Sequence, residues 1–317
     1  MTKKKSRVLR ELIEDKKILL RPGVAVALHA KLAEAAGFKA VGVSGANTAA
    51  YLFGLPDAGL LTMTEMCENA QRVANAVDIP VMVDCDTGYG NAINVRRTVE
   101  SMIRAGTAGL FIEDQYAPKR CGSFKGKQLI SVEEAVGKYR AALDVRNELD
   151  PDYVIMARTD ARNAVGGSLE EAIGRAKAYK KAGVDVIYIE AIQSMEEMRI
   201  ARAEIEGPMA CHCRSITPQP TLEQLQELGM SMTVGIQFFK SGVLAYWDFL
   251  MKMKEHGLDP WVEFSEEMKD HPVGGFNITD LLGFPKIREW EDKYLPPEEL
   301  SKYEQSFGLY DPKNQKK

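Results

Sequence analysis

The chain has 317 residues, of which 45% are hydrophobic and 27% are charged, a composition typical of globular proteins with a sizeable core. Its 41 Lys and Arg residues are balanced by 45 Asp and Glu residues, which argues against nucleic-acid or membrane-surface binding. No uncharged apolar run is long enough for a transmembrane helix, and Glu11 and Glu14 follow the basic N-terminus where a signal peptide would be apolar. The odd count of five Cys residues argues against a disulfide framework, and we expect a cytoplasmic protein.

Short apolar runs alternate along the chain with segments in which apolar residues recur at helical spacing. The predicted strands are residues 24–28, 40–43, 81–83, 109–112, 153–157, 186–189, 208–210 and 231–234. The predicted helices include residues 66–77, 95–105, 169–182, 195–205, 222–228 and 243–256. Ser168 and Gly183 lie where the two caps of one of these helices belong.

Eight apolar strands that alternate with helices predict an α/β fold, a (β/α)8 TIM-type barrel over residues 1–255. The alternative, a doubly wound open sheet, lacks its usual Gly-rich phosphate motif after the first strand. Residues 256–317 are charged and interrupted by Pro, yet they contain Trp261, Phe276 and Trp290. We expect this part to be a C-terminal helical extension that packs on the barrel or on a partner subunit.

Charged side chains follow the predicted strands at the end where barrel enzymes carry their active sites. They are Asp84, Asp86, Glu113, Arg158, Glu190 and His212. Asp84 and Asp86 are two residues apart and therefore point the same way, and Glu113 on the next strand adds a third negative charge. Such hard oxygen ligands suit Mg²⁺, with Mn²⁺ as an alternative. The Cys-His-Cys run around His212 has no second ligand pair at zinc-site spacing.

The loop after the fourth strand, residues 118–127, places Cys121 among four basic residues and two Gly residues. Nearby cations favour a thiolate, so we expect a lowered Cys121 pKa. A mobile lid that closes on an anionic substrate and brings an acid–base thiol would have this composition. The alternative is a basic surface loop with an incidental Cys.

Several motifs together resemble a known family. They are Ser44-Gly45, Leu55-Pro56-Asp57, Val83-Asp84-Cys85-Asp86-Thr87-Gly88-Tyr89-Gly90, Ile112-Glu113-Asp114-Gln115, Lys119-Arg120-Cys121-Gly122 and Met156-Ala157-Arg158-Thr159-Asp160-Ala161. In order and spacing over residues 8–255 they resemble the isocitrate lyase and phosphoenolpyruvate mutase superfamily. They are most similar to its 2-methylisocitrate lyase and 2,3-dimethylmalate lyase branch, and the Lys-Arg-Cys-Gly loop is typical of the carbon–carbon lyases.

This resemblance implies a (β/α)8 barrel whose last helix is exchanged between paired subunits of a homotetramer, together with Mg²⁺ and an enolate intermediate. The implied metal ligands, direct or through water, are Asp57, Asp84, Asp86 and Glu113. The implied substrate-binding residues are Ser44, Gly45, Ala46, Gly122, Ser123, Arg158, Glu190 and His212. The resemblance further implies that Arg158 clamps a carboxylate and that Cys121 protonates the departing enolate.

Two residues depart from the family pattern. Ser123 stands where the lyases usually carry His, and His212 lies at about the place of an Asn on the seventh strand. We therefore expect a differently substituted 2-hydroxy dicarboxylate, such as a dialkylmalate, that releases pyruvate or glyoxylate. The alternatives are oxaloacetate hydrolysis or decarboxylation, phosphonopyruvate chemistry and binding without catalysis. The general base is open among Asp57, Glu113, Tyr89 and a metal-bound hydroxide.

Overall fold

A parallel sheet closes on itself to form a barrel. The computed structural model describes residues 3–234, 236–237, 239–303 and 305–310. The strands are β1 Pro22–Val24, β2 Val41–Val43, β3 Val81–Asp84, β4 Gly109–Glu113, β5 Val154–Thr159, β6 Val186–Ile189, β7 Met209–Cys211, β8 Met232–Thr233 and β9 Ile236–Gln237. Their order is β8-β7-β6-β5-β4-β3-β2-β1-β9. Because β9 pairs with β1, and Leu19 just before β1 pairs with Met232 of β8, the ring is closed.

Helices follow the strands around the barrel, which confirms the predicted (β/α)8 class. The helices up to the last strand are α1 Lys5–Glu14, α2 Ala27–Ala35, α3 Gly45–Thr48, α4 Met63–Ala76, α5 Ala92–Arg104, α6 Val132–Leu149, α7 Leu169–Ala182, α8 Met195–Glu204 and α9 Leu222–Glu227. Those after it are α10 Phe239–His256, α11 Asp259–Glu267, α12 Asn277–Leu281, α13 Phe284–Tyr294 and α14 Pro297–Leu300. A π-helical turn, Ala49–Phe53, follows α3, and a 3-10 turn, Ser301–Tyr303, follows α14.

Polar caps start most of the helices that surround the barrel. The hydroxyl of Ser168 accepts a hydrogen bond from the backbone N–H of Glu171 at 3.0 Å, and Gly183 ends the same helix with a φ of 108°. Both predicted caps of α7 are thus confirmed. Thr62 and Glu65 form a reciprocal capping box at the start of α4. These local signals set where each helix begins after a strand-end loop.

The predicted first strand was wrong. Residues 24–28 were expected to be extended, but β1 ends at Val24 and α2 begins at Ala27. A short apolar run has no period that separates a strand from a buried helix, and Ala30 and Ala33 of α2 face the core as a helix would require. Helix α6 is a further element that the periodicity did not reveal.

The core has two layers separated by the sheet. Side chains between the sheet and the helices include Val81, Val83 and Ile155. Side chains inside the barrel include Met82 and Met156, and Leu9 of α1 belongs to the same inner cluster. Alternate residues of each strand therefore face opposite layers, as the pleat requires.

The chain divides into two compact units, Met1–Phe239 and Lys240–Lys317. The sequence placed the boundary after residue 255, at the end of α10. The second unit consists of helices and turns in its described part, as expected for the C-terminal extension. Among the described residues, no helix combines the length and the apolar character that crossing a membrane requires.

Candidate active site

The inner face of the barrel changes from apolar to charged at the carboxyl ends of the strands. Phe111 is followed two residues later by Glu113, and Tyr188 is followed two residues later by Glu190. Because strand residues alternate between faces, the charged residue continues the inward-facing column. Met82 and Asp84, and Met156 and Arg158, repeat the pattern. The strand-end residues therefore meet above the apolar interior.

These residues surround a cavity of about 80 Å³. The predicted site residues that line it are Ser44, Ala46, Asp57, Asp84, Cys121, Gly122, Ser123, Arg158, Glu190 and His212. Gly45, Asp86 and Glu113 are not among its lining residues, although each contacts one that is. Arg21, Lys119, Tyr188 and Arg214 also line the cavity and were not predicted as site residues.

Asp84 is held by backbone donors. The N–H of Gly45 donates to Oδ2 of Asp84 at 3.1 Å, and the N–H of Asp86 donates to its Oδ1 at 3.1 Å. A Cβ on Gly45 would lie 3.1 Å from Oδ2 of Asp84 and 3.2 Å from Oδ1 of Asp86. A side chain at position 45 would therefore crowd the space between the two carboxylates.

Lys119 neutralises this acidic cluster. Its ammonium pairs with Asp57 and lies 3.1 Å from Oδ1 of Asp86. Although burial opposes its charge, the surrounding carboxylates, Glu113 foremost, raise the pKa of Lys119 well above its ordinary value. Burial in turn raises the pKa of Asp86 to about 6, against the effect of Lys119. The cluster is thus built around a positive charge.

The acidic cluster is where Mg²⁺ is predicted to bind. Among the described residues, no group of three or more His, Cys, Asp or Glu side chains is arranged to bind a metal ion. Mg²⁺ commonly takes one or two carboxylates and fills its shell with water and substrate oxygens. Oδ1 of Asp86 is buried without a hydrogen bond of good geometry, but the ammonium of Lys119 lies 3.1 Å from it, so it would act as such a ligand only if Lys119 gave way. The full set of Asp57, Asp84, Asp86 and Glu113 stays a prediction.

Arg158 joins the acids of three strands. Nη1 lies 3.0 Å from Oε2 of Glu113, and Nε and Nη2 each donate to Asp160 at 2.9 Å. Burial raises the pKa of Glu113 well above its ordinary range even though Arg158 opposes the shift. The bidentate partner of Arg158 in this structure is therefore Asp160, and its predicted role as a carboxylate clamp stays a prediction.

The loop of residues 118–127 is seated over the cavity. A Cβ on Gly122 would lie 2.6 Å from Nη2 of Arg158 and 2.7 Å from Cδ of Glu190, so the backbone touches the strand-end charges. The carbonyl of Gly122 accepts hydrogen bonds from Lys127 at 2.7 Å and from Asn163 at 3.0 Å. Lys127 also pairs with Oδ1 of Asp160 at 2.6 Å, and both side chains are fully buried. The buried pair of Lys127 in the loop and Asp160 in the barrel therefore holds the loop over the cavity.

Cys121 lines the cavity with a thiol, not a thiolate. Burial raises the pKa of Cys121 above its ordinary value, and the nearby Asp57 adds to the shift. The expectation that the basic loop lowers this pKa was wrong, because burial of the thiol outweighs the opposing effect of Lys119. A protonated thiol is the form that a proton donor requires.

The far side of the cavity carries the two departures from the family pattern. Nη1 of Arg214 donates to Oγ of Ser123 at 2.8 Å. Nδ1 of His212 lies 3.7 Å from Oε1 of Glu190, and the hydroxyl of Tyr188 donates to Oε2 of the same carboxylate. Although burial favours its neutral form, Arg158 and His212 hold the pKa of Glu190 below its usual range. This side therefore offers hydroxyl, imidazole and guanidinium groups to a substrate.

A family model for phosphoenolpyruvate phosphomutase matches residues 9–247. The chain belongs to the phosphoenolpyruvate mutase and isocitrate lyase superfamily. It is 40% identical over 294 residues to 2,3-dimethylmalate lyase of Eubacterium barkeri, covering 90% of this chain and 96% of that protein. It is 41% identical over 280 residues to 2-methylisocitrate lyase of Aeropyrum pernix, covering 87% of each chain.

Solved structures of the superfamily share the fold. A 2,3-dimethylmalate lyase superposes with a TM-score of 0.85 at 29% identity, over 98% of this chain and 100% of that chain. An oxaloacetate acetylhydrolase in complex with 3,3-difluorooxalacetate superposes with a TM-score of 0.82 at 30% identity, over 92% of this chain and 97% of that chain. A phosphonopyruvate hydrolase in complex with oxalate and Mg²⁺ superposes with a TM-score of 0.80 at 27% identity, over 93% of this chain and 100% of that chain. The predicted superfamily and its barrel are therefore confirmed.

The most similar curated relatives of this superfamily member are named lyases, which confirms the prediction of a carbon–carbon lyase. The sequence missed Lys119 as a neutralising group and Lys127 as a loop anchor. Both were counted only as members of a basic loop. The sequence signal for these roles was the position of Lys119 and Lys127 on either side of Cys121-Gly122. Their acidic partners, Asp57 and Asp160, lie far away in the chain.

Proposed function

We propose that this superfamily member is a divalent-metal-dependent lyase that cleaves a substituted 2-hydroxy dicarboxylate of the dialkylmalate type. The products would be an α-keto acid, pyruvate or glyoxylate, and a second carboxylate. The observation that carries the proposal is that Cys121, whose pKa is raised by burial, lines the same cavity as Asp57 and Arg158. Its most similar curated relatives, named 2,3-dimethylmalate lyase and 2-methylisocitrate lyase, support this reaction class.

The reaction requires a base and an acid on the two substrate fragments. The base takes the proton of the 2-hydroxyl group, the adjacent carbon–carbon bond breaks, and the hydroxyl-bearing carbon becomes the keto carbon. The bonding electron pair passes to the leaving carbon, where the carboxylate stabilises it, and Cys121 donates a proton there. Of the predicted side-chain bases, Asp57 lines the cavity, whereas Glu113 and Tyr89 do not. We therefore assign the base role to Asp57.

The other residues of the cavity bind and orient the substrate. Ser44 and Ala46 face the α-keto-acid half, and the predicted ligands Asp57, Asp84, Asp86 and Glu113 would hold a Mg²⁺ ion that stabilises negative charge on its oxygens. The backbone of Gly122 lies against Arg158 and Glu190, and Lys127 and Asn163 hold it there through its carbonyl. The closed loop also excludes water that would protonate or hydrolyse an intermediate.

The alkyl-bearing fragment would face Ser123, His212 and Arg214. Ser123 and His212 stand where the family lyases usually carry His and Asn, so the groups that would receive the distal acid arm of methylisocitrate differ here. This arrangement supports a compact alkyl-substituted fragment rather than the longer acid arm of methylisocitrate. The test is a panel of dialkylmalates, methylisocitrate and isocitrate with Mg²⁺, in which the 2-keto product is trapped and measured. Efficient turnover of methylisocitrate alone would contradict this substrate class.

Oxaloacetate is the second candidate substrate, because an oxaloacetate acetylhydrolase shares the fold with a TM-score of 0.82. Oxaloacetate decarboxylation would not need the Cys121 thiol as an acid. Adding oxaloacetate to the same panel and measuring pyruvate, oxalate and acetate separates the two reactions. Oxalate release from oxaloacetate without cleavage of any malate would favour the hydrolase.

A homotetramer in the cytoplasm, with the last barrel helix exchanged between subunits, is also part of the proposal. Helix α10 and the segment after it carry exposed large apolar side chains, among them Leu244, Trp247 and Trp261. Contiguous apolar surface of this kind supports a subunit interface. Sedimentation equilibrium tests the assembly, and a monomer at working concentration would contradict it.

A further inference from the structure

Arg21 is a buried cation that lines the cavity and forms no ion pair with the described residues. It lies just before β1, on the inner face of the barrel, and is 4% exposed. Its backbone N–H donates to Oγ1 of Thr233 at 3.1 Å. Nε of its guanidinium has no hydrogen-bond partner, and the side chain forms no ion pair within 4.0 Å with any described residue. The guanidinium therefore faces the cavity with unused donors.

The barrel has room for this guanidinium because of one glycine. A Cβ built on Gly42 of β2 would lie 1.6 Å from Nη1 and 2.7 Å from Cζ of Arg21. Any other residue at position 42 would push the guanidinium aside. Gly42 has no positive φ that would require glycine, so close approach is its structural reason. Arg21 and Gly42 thus form one built feature of the cavity floor.

The other cations that line the cavity are occupied. Lys119 pairs with two acids of the cluster, and Arg214 donates to Ser123. Arg158 is bonded to Asp160 and Glu113. Arg214 is exposed, so among the described lining residues Arg21 is the buried, permanently charged side chain left to bind a substrate anion in the fork geometry that guanidinium offers a carboxylate.

An unpaired buried charge destabilises a fold unless something outside the protein compensates it. Burial lowers the pKa of Arg21 to about 10, and the field of Asp84 opposes this shift without a direct contact at ion-pair distance. The floor around it is the apolar inner cluster that contains Leu19 and Met232. A bound anion would compensate the charge of Arg21.

We propose that Arg21 is a specificity-determining residue that binds the carboxylate of the α-keto-acid half of the substrate; this inference rests on the proposed function. Gly42 and Ser44 are two residues apart on β2 and its end, so they share the inner face about 7 Å apart along the strand. A carboxylate beside Ser44 and Ala46 thus lies within reach of the guanidinium above Gly42. Arg21 selects for a substrate half that carries this negative charge.

The experiment compares Arg21→Met and Gly42→Ala with the wild-type enzyme in saturating Mg²⁺. Oxalate, which carries the carboxylate of an α-keto acid, is titrated calorimetrically, and the melting temperature is measured in parallel. Arg21→Met removes the charge, whereas Gly42→Ala keeps the charge but displaces the guanidinium. Gly137→Ala in α6 is the matched control, because nothing lies within 4 Å of its Cβ position.

Both cavity variants are expected to bind oxalate at least about tenfold more weakly, equivalent to about 1.4 kcal/mol, whereas Gly137→Ala binds normally. Arg21→Met should melt at the same temperature as the wild type or higher, because it removes an uncompensated charge. The Arg21→Met/Gly42→Ala double variant should bind oxalate no worse than Arg21→Met alone.

Unchanged oxalate affinity in Arg21→Met overturns the proposal. If the melting temperature of that variant also falls, Arg21 is a structural counter-charge for Asp84. The proposed function is tested independently of Arg21. If the wild-type enzyme binds oxalate but cleaves no malate of the panel, the lyase reaction is contradicted, whereas the comparison of oxalate affinities still tests the role of Arg21. Cleavage of a malate with equal KM and kcat in the wild type and Arg21→Met overturns the role of Arg21 alone.

Discussion

The ammonium of Lys119 lies 3.1 Å from Oδ1 of Asp86, in the centre of the acids predicted to hold Mg²⁺. Lys119 is 4% exposed and pairs with Asp57 as well. A buried cluster of carboxylates without a cation would be strongly repulsive. Lys119, which belongs to the loop of residues 118–127, therefore compensates the acids and connects the position of this loop to the acidic cluster.

Replacing Lys119 by Gln should make the fold more dependent on Mg²⁺. Without metal, the variant is expected to lose about 1–3 kcal/mol of unfolding free energy, because the partners of a buried charge are left uncompensated. Added Mg²⁺ should restore part of this loss and give a larger rise in melting temperature than in the wild type. Lys125→Gln, on the exposed part of the same loop, is the control. Equal Mg²⁺-induced shifts in all three proteins would contradict this role.

Replacing Cys121 by Ser should separate the two candidate reactions. A hydroxyl is a much weaker acid than a thiol, and positioned proton donors contribute about 10²–10⁴-fold to rate. The variant is expected to lose that factor in malate cleavage while it retains oxaloacetate decarboxylation. Cys67→Ser, on α4 and outside the cavity lining, is the matched control. Parallel loss of both activities in Cys121→Ser would argue against a specific acid role.

The pH dependence of malate cleavage should reflect the Cys121 thiol. Burial raises its pKa, so the protonated, active form persists through neutral pH and is lost only as pH rises through the raised value. We expect kcat to fall on the basic side, above the ordinary thiol pKa of about 8.5. A kcat profile from roughly pH 6 to roughly pH 10 measures this limb, and the residual activity of Cys121→Ser should lack it. A limb that remains in the variant must come from another group.

Replacing Lys127 by Met should release the loop. Lys127 bridges Oδ1 of Asp160 at 2.6 Å and the carbonyl of Gly122 at 2.7 Å. Asp160 keeps Arg158 as a partner, so the expected loss in unfolding free energy is about 1–3 kcal/mol rather than that of an isolated buried charge. The kcat for malate cleavage should fall more than the melting temperature alone explains, and protease cleavage within the loop should quicken. Lys125→Met should leave both measurements unchanged.

The arrangement of charges around the barrel mouth could be predicted in part from the sequence. Phe111 and Glu113, and Tyr188 and Glu190, are spaced by two residues, and this period determines that they share a face. Any parallel barrel brings such strand ends to one rim, so the convergence of Asp84, Arg158 and Glu190 needed only the strand pattern. Where the pattern was too short, as at residues 24–28, the prediction was wrong.

By itself, the sequence determined the fold class, the superfamily and the residues at the rim, because local periodicity and contiguous motifs encode them. Tertiary structure alone decided which charges neutralise one another. Lys119 meets Asp57, Lys127 meets Asp160, and the guanidinium of Arg21 forms no ion pair with any described residue, although all three are simply basic residues in the sequence. The reason is physical: a pKa or an unpaired charge depends on desolvation and on neighbours distant in the chain, and both exist only once the barrel has closed.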